Sequence, residues 1–426
     1  MQDLISELRW RGFLAQTTCD DAAAFLLSER RTIYVGFDPT APSLHLGSLV
    51  PIMGLAHAQR AGHRPIALVG GGTGLIGDPS GKTAERVLLT REKVEENCAG
   101  IRKQLERFLD LSSHDAGLML NNADWLLDLD LVGFLRDIGK YFSVNEMIRR
   151  DSVRMRLEER DHGISYTEFS YMLLQAYDFL HLCEHHGCTV QMGGSDQWGN
   201  IVSGADLIRR RLGVRAEGIT FPLLTTSTGK KFGKSEEGAV WLDANLTSPY
   251  QMYQYWLQTP DGDVVPYLKL FTFLEQAAVD ELADAVVREP EARAAQKALA
   301  AECTGLVHGK DAVRAVEKAS QILFGSADVI PDRETLALLA REAPSSEISR
   351  AELSAGVALP DLLVRTGLAE SKGAARKLVE GGGVYINNRR VTDVRKPLTL
   401  GEVEWPDAIL LRSGKKSYHL LRTRAD

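Results

Sequence analysis

Short apolar runs alternate with longer amphipathic ones along this chain, and their order predicts its elements. Arg31-Thr32-Ile33-Tyr34-Val35-Gly36-Phe37 is a β-rich run closed by the turn Asp38-Pro39-Thr40. The spacing then predicts a helix from Gly47 to about Ala61, with Pro51 in a first turn where a missing N–H costs little. Pro65-Ile66-Ala67-Leu68-Val69 reads as a second buried strand entering the glycine-rich Gly70-Gly71-Gly72-Thr73-Gly74. Strand, turn, helix, strand is the order of a doubly wound parallel sheet. A helix over about Thr167–His186, a strand over Thr189–Met192 and a helix over Gln197–Leu212 extend it.

Beyond Ser248 the pattern turns helical, with amphipathic stretches at Glu275–Val287 and Ala292–Leu306. Residues 326–357, rich in Ser, Pro, Asp, Glu and Ala, show little periodicity and predict a linker. A last small α+β domain follows at 358–426: a helix capped at Ser371 and stopped by Gly381-Gly382-Gly383, then two short strands about Asn387-Asn388, a hairpin signal. The expected partition is therefore 1–247 for the α/β domain, 248–325 for the helical domain, 326–357 for the linker and 358–426 for the tail.

Composition narrows the class. A 426-residue chain with 44% hydrophobic and 25% charged residues has an ordinary globular make-up. No apolar run approaches the roughly 18 residues of a membrane span. The N-terminal segment is acidic and amphipathic, unlike a basic signal peptide, which predicts a cytoplasmic chain without membrane contact. Five cysteines argue against a disulfide framework. His181, Cys183, His185, His186 and Cys188 crowd one helix end, yet no second CxxC or HxxxH completes a tetrahedral site. A polar helix end turning at Gly187 is therefore preferred to a metal centre. Residues 361–426 hold 13 Lys and Arg against 8 Asp and Glu; the remainder carries −12 of the overall −7. A basic tail on an acidic body points to a polyanionic partner.

Two separated motifs carry the chemistry. His45-Leu46-Gly47-Ser48 lies just after the first strand, and Lys231-Phe232-Gly233-Lys234-Ser235 lies far downstream. Between them sits Gly193-Gly194-Ser195-Asp196-Gln197-Trp198. A histidine at a helix N-terminus suits an anion, because free N–H groups and the dipole point at it. Two lysines on a glycine-flanked loop suit phosphate charge. In this order the motifs resemble those of class I aminoacyl-tRNA synthetases, of the bacterial tyrosyl branch, and the resemblance runs through almost the whole chain.

The resemblance implies a Rossmann-like catalytic domain that joins L-tyrosine to ATP, accompanied by Mg²⁺, and then charges tRNA(Tyr), in a homodimer with no metal held by protein alone. It assigns His45, Thr40, Lys82, Arg86, Lys231 and Lys234 to the reacting phosphates. Gly36, Asp38, Gly47, Ser48, Gly194, Asp196, Gln197 and Ser235, with His45 and Lys234, fall to the nucleotide or adenylate. Tyr34 and Asp178 fall to the phenolic hydroxyl; Asp78, Tyr171 and Gln175 to the substrate ammonium, with Asn122 and Gln191 nearby. Tyr171, Gln175 and Asp178 are spaced four and three, so one helical face carries all three. The tail resembles the RNA-binding domain named for ribosomal protein S-four, with Lys372, Arg376 and Lys377 as phosphate ligands. Ser48 departs from the family, standing where a second histidine contacts the ribose. That departure leaves an alternative, an RNA-binding paralogue with a decayed adenylation site.

Overall fold

The computed structural model describes all residues except 1–2, 81–88, 151–152, 155–156, 158–163, 228, 230–231, 236–237, 324–330, 404, 406, 415–416 and 425–426. The chain forms two compact units, one of residues 1–248 and 255–307, the other of 249–254 and 308–426.

The first unit is built on a six-stranded sheet. Its strands are β1 (Gln16–Thr17), β2 (Thr32–Phe37), β3 (Arg64–Val69), β4 (Leu118–Asn121), β5 (Cys188–Gly194) and β6 (Glu217–Phe221), in the order β1-β6-β5-β2-β3-β4. Every pairing is parallel except β1 with β6. Ile33, Tyr34, Val35 and Phe37 are all buried, as in a strand covered on both faces. From β2 the chain winds one way to β3 and β4 and the other way to β5 and β6. The carboxyl ends of β2 and β5 therefore flank the topological switch point, where open α/β sheets bind ligands.

The predicted elements recur with small shifts. A single 3₁₀ turn, Leu46–Ser48, precedes the helix Leu49–Arg60, and another, Ser195–Gln197, precedes the helix Trp198–Leu212. Helix Tyr166–His186 starts at Ser165, whose hydroxyl accepts from Glu168 N at 3.2 Å, and stops at Gly187 in the left-handed region (φ 62°). Helices Asp261–Phe271, Gln276–Arg288 and Ala294–His308 follow. Buried Arg11 ties the first helix to this part, donating to the carbonyls of Lys269, Thr272 and Leu274 at 2.9–3.1 Å.

In the second unit, residues 326–330 of the predicted linker lie outside the described residues, and the rest of that stretch is structured. Helix Arg333–Glu342 is capped by Asp332, which accepts from Thr335 N and Oγ1; strand Ser345–Ser349 and helix Arg350–Ala355 follow. The only apolar side chains these elements bury are Leu336, Leu339, Ile348 and Leu353, too few for a repeating period to emerge from the sequence. Strand Ser345–Ser349 joins a five-stranded sheet with Ser417–Arg424, Ala408–Ser413, Val384–Ile386 and Arg389–Val391. The hairpin predicted at Asn387-Asn388 is present, with both residues at positive φ (47° and 60°) as a tight two-residue turn demands.

Candidate active site

A cleft of about 650 Å³ opens at the carboxyl ends of β2, β3 and β5. The sheet sends Tyr34 and Gln191 into it as direct cross-strand neighbours. Helix Tyr166–His186 adds Tyr171, Gln175 and Asp178 from one face, as the spacing predicts.

Asp178 is one of the buried acids of this cleft. Its carboxylate accepts from Asn122 Nδ2 at 2.9 Å and from Trp125 Nε1 at 2.8 Å. Burial pushes its acid up to about 7, and the two donated bonds pull the other way without cancelling that cost. The Tyr34 hydroxyl is buried with no hydrogen-bond partner among the described residues; burial first, then the Asp178 charge, raises its pKa well above the usual phenol range. Asn122 braces the floor: its carbonyl accepts from Gly72 N at 2.8 Å, and its amide also donates to Thr73 Oγ1 at 2.9 Å.

A second network crosses the cleft. Gln197 Nε2 donates to Asp78 Oδ2 at 2.7 Å, Gln175 Nε2 donates to Gln197 Oε1 at 3.2 Å, and Asn200 Nδ2 donates to Gln175 Oε1 at 3.0 Å. Burial, and then the charge of Asp78, raises the Asp196 acid. Tyr171 is held above the usual phenol range by burial, and then by the charges of Asp38, Asp78 and Asp178. The cleft is therefore a field of carboxylates, suited to an ammonium group.

Toward the mouth, His45 precedes the 3₁₀ turn and presents an exposed ring, edge-on to Trp241 at 6.2 Å between centroids. A Cβ on Gly47 would lie 2.8 Å from His45 Cε1, so the ring occupies that place only because residue 47 is glycine. Thr40, Gly36, Ser48 and Gly194 also line the cleft. Gly233, at φ 79°, packs close enough that a Cβ there would sit 2.9 Å from Gly47 N. The backbone of Lys234–Ser235 pairs with Gly238–Ala239. Lys82, Arg86 and Lys231 lie outside the described residues, as do the side chains of Lys234 and Ser235.

The sequence reading omitted Trp125, Thr73, Asn200 and Trp241. Trp125 stacks on His181 (4.2 Å, 16° between planes), which gives that histidine a packing role; burial lowers its pKa to about 4. Among the described residues, no cluster of three or more His, Cys, Asp and Glu could hold a metal. In the second unit Lys372, Arg376 and Lys377 are exposed on helix Lys372–Glu380, with Lys372 paired to Asp361 at 2.8 Å.

A cleft at the switch point of a doubly wound sheet, with a histidine before a helix start and a lysine-bearing segment packed on the same turn through Gly233, has the form of a nucleotide-binding site. Residues 27–325 match the family model of class I tRNA synthetases (W and Y), and the chain belongs to that family. Within it the chain falls among the tyrosine–tRNA ligases: residues 336–421 match the tyrosine–tRNA ligase SYY-like C-terminal domain. The tyrosine–tRNA ligase of Roseiflexus castenholzii is 51% identical over 99% of this chain and 100% of its own length. That of Geobacillus stearothermophilus is 49% identical over 99% of both. Among solved structures, a C-terminally truncated mitochondrial tyrosyl-tRNA synthetase of Aspergillus nidulans superposes with a TM-score of 0.68 at 33% identity, covering 76% of this chain and 95% of that one. Full-length kinship to ligases gives no support to the alternative of a decayed RNA-binding paralogue.

Proposed function

We propose that the cleft binds L-tyrosine with its phenol against Tyr34 and Asp178 and its ammonium among Asp78, Tyr171 and Gln175. The carboxylate is thereby presented to the α-phosphate of ATP at the mouth. Attack forms tyrosyl-adenylate and expels pyrophosphate; the tyrosyl group then passes to the 3′ end of tRNA(Tyr). His45 at its helix start, Thr40, and Lys82, Arg86, Lys231 and Lys234 neutralise charge growing on the phosphates. Gly36, Asp38, Gly47, Ser48, Gly194, Asp196, Gln197 and Ser235 seat the nucleotide. Mg²⁺ would arrive with ATP and would counter the charge of its phosphates.

The observation that carries this reading is the pairing of an unpartnered buried Tyr34 hydroxyl with Asp178 on a cleft floor. A phenol completes both; phenylalanine leaves them desolvated and unmatched, a rejection for which tyrosyl enzymes are the standard example. Ser48 offers one neutral hydroxyl where a histidine is usual in the family, so the ribose is held by a shorter contact.

Lys372, Arg376 and Lys377 bind tRNA phosphates from the tail. Leu131, Val132, Leu135, Val144 and Tyr166 are exposed apolar side chains on neighbouring segments of the first unit, Leu131 at 69% and Val132 at 72%. They form the face a second copy covers in a homodimer. No helix among the described residues is long and apolar enough to cross a membrane, and all five cysteines are free, which suits a cytoplasmic enzyme. The test is ATP–pyrophosphate exchange with tyrosine, phenylalanine and tryptophan in parallel. Exchange with tyrosine alone is expected; exchange with none, or equally with phenylalanine, overturns the reading.

A further inference from the structure

The segment that carries the candidate lysines is fastened at both ends to helices that contribute nothing to the cleft. At its start, Ser227 N donates to both carboxylate oxygens of Asp263 at 3.1 Å, and Ser227 Oγ donates to Oδ2 at 2.9 Å. Asp263 lies in the first turn of helix Asp261–Phe271 and is only 8% exposed. Gly229, at φ 76°, then turns the chain, its N–H donating to Thr226 O at 2.8 Å.

At the far end Phe232 is buried in an aromatic box. It stacks on Phe271 (4.9 Å, 7°) and meets Tyr267 at 5.1 Å and Trp256 at 5.9 Å. Gly233 N donates to Tyr255 Oη at 3.2 Å, and Val240 N donates to Gly233 O at 3.0 Å. The box alone fixes one end. Without Asp263 the Ser227 end would lose three bonds to one buried carboxylate.

We infer that Asp263 is a positioning residue for adenylate formation: it anchors the Ser227 end of the lysine segment so that the ammonium groups meet the departing pyrophosphate. This rests on the reading of Lys231 and Lys234 given above. A group acting only on charge that develops in the transition state changes the rate of the step and leaves ground-state tyrosine binding alone. Misplacing such groups by about an ångström costs on the order of a hundredfold.

The test is single-turnover formation of tyrosyl-adenylate by the full chain. Asp263→Ala is expected to slow this step about tenfold to a hundredfold, with tyrosine affinity unchanged. Asp263→Asn, which keeps an acceptor oxygen, recovers most of the rate. Lys234→Ala is slow too, and in the double variant Asp263→Ala adds little, because both changes remove one interaction. Should Asp263→Ala not fold, Ser227→Pro deletes the N–H and hydroxyl donors without touching the helix and carries the same expectation. Wild-type rates in Asp263→Ala, fully additive losses in the double variant, or a parallel loss of tyrosine affinity overturns the inference. Lys234→Ala at the wild-type rate instead overturns the lysine reading beneath it.

Discussion

Trp125→Phe probes one hydrogen bond in the proposed tyrosine pocket. Phenylalanine keeps one aromatic ring against His181 while removing the indole N–H that donates to Asp178 at 2.8 Å. A hydrogen bond to a buried charge is worth about 1.5–3 kcal/mol, which is roughly one to two pKa units. The Asp178 acid, already raised to about 7, moves further up, to about 8.5. At about pH 7.5 the wild-type carboxylate is then roughly three-quarters ionised and the variant's roughly one-tenth. A carboxylate accepts from the substrate phenol with either oxygen, whereas the neutral acid spends one oxygen as a donor. The kcat/KM for tyrosine follows the ionisation of the free enzyme. Its ratio between wild type and variant cancels any ionisation of tyrosine itself. That ratio is expected to be about eightfold near pH 7.5, to approach about thirtyfold in acid, and to shrink below about twofold near pH 9. A deficit of constant size across pH would refute the reasoning, since it would mean that Trp125 acts by packing alone.

The same buried acid makes stability depend on pH. Its folded pKa is above its unfolded value, so the native state binds the extra proton and wild-type stability falls as pH rises from about 4 to about 7, by about 4 kcal/mol in all. Asp178→Asn should abolish that slope in urea titrations and leave a less active, more stable protein near pH 8; an unchanged slope would assign it to other groups. Gly47→Ala drives a methyl into the His45 ring. Adenylate formation should fall about tenfold or more while tyrosine affinity holds, and a normal rate would remove His45 from the reacting phosphates. Arg11→Met strands three backbone carbonyls, and a loss of about 3 kcal/mol is expected in denaturant unfolding; a loss under about 1 kcal/mol would show that water replaces the guanidinium.

Sequence pattern revealed most where one element sufficed to state it. The buried run of β2, the glycine stop of helix Tyr166–His186 and the Asn387-Asn388 turn are local, and each is where the pattern puts it. Tyr171, Gln175 and Asp178 share a face because helical spacing makes them do so. Trp125 was illegible because its partner is 53 residues away and the indole is joined to Asp178 only once β4 pairs beside β3. Asn200 is similar: its bond to Gln175 exists because helices Tyr166–His186 and Trp198–Leu212 pack together. The elements at 333–355 were missed for another reason. A ten-residue helix with two buried leucines and a five-residue strand with one buried isoleucine show fewer buried apolar positions than a period needs to declare itself.

These long-range contacts show what the fold does for recognition. Tyr34 and Gln191 are cross-strand neighbours at the switch point, and the register that fills the core also forces their polar atoms out of water. Tyr34 Oη and Gln191 Oε1 are buried without partners among the described residues, each at a cost of about 1–3 kcal/mol, while Asp178 is buried close to its own pKa. Ordinary core residues at these places would make a more stable protein. Among the described residues lining the cleft, Tyr34 Oη and Gln191 Oε1 are the buried side-chain atoms left without partners, whereas the supporting groups, Asn122, Gln197 and Asn200, are well bonded. On the proposed reading a phenol in the cleft relieves these costs, and a ring without the hydroxyl relieves none. On that reading selectivity follows from where the sheet leaves hydrogen bonds unmade, with Asn122, Gln197 and Asn200 bracing the groups around those gaps.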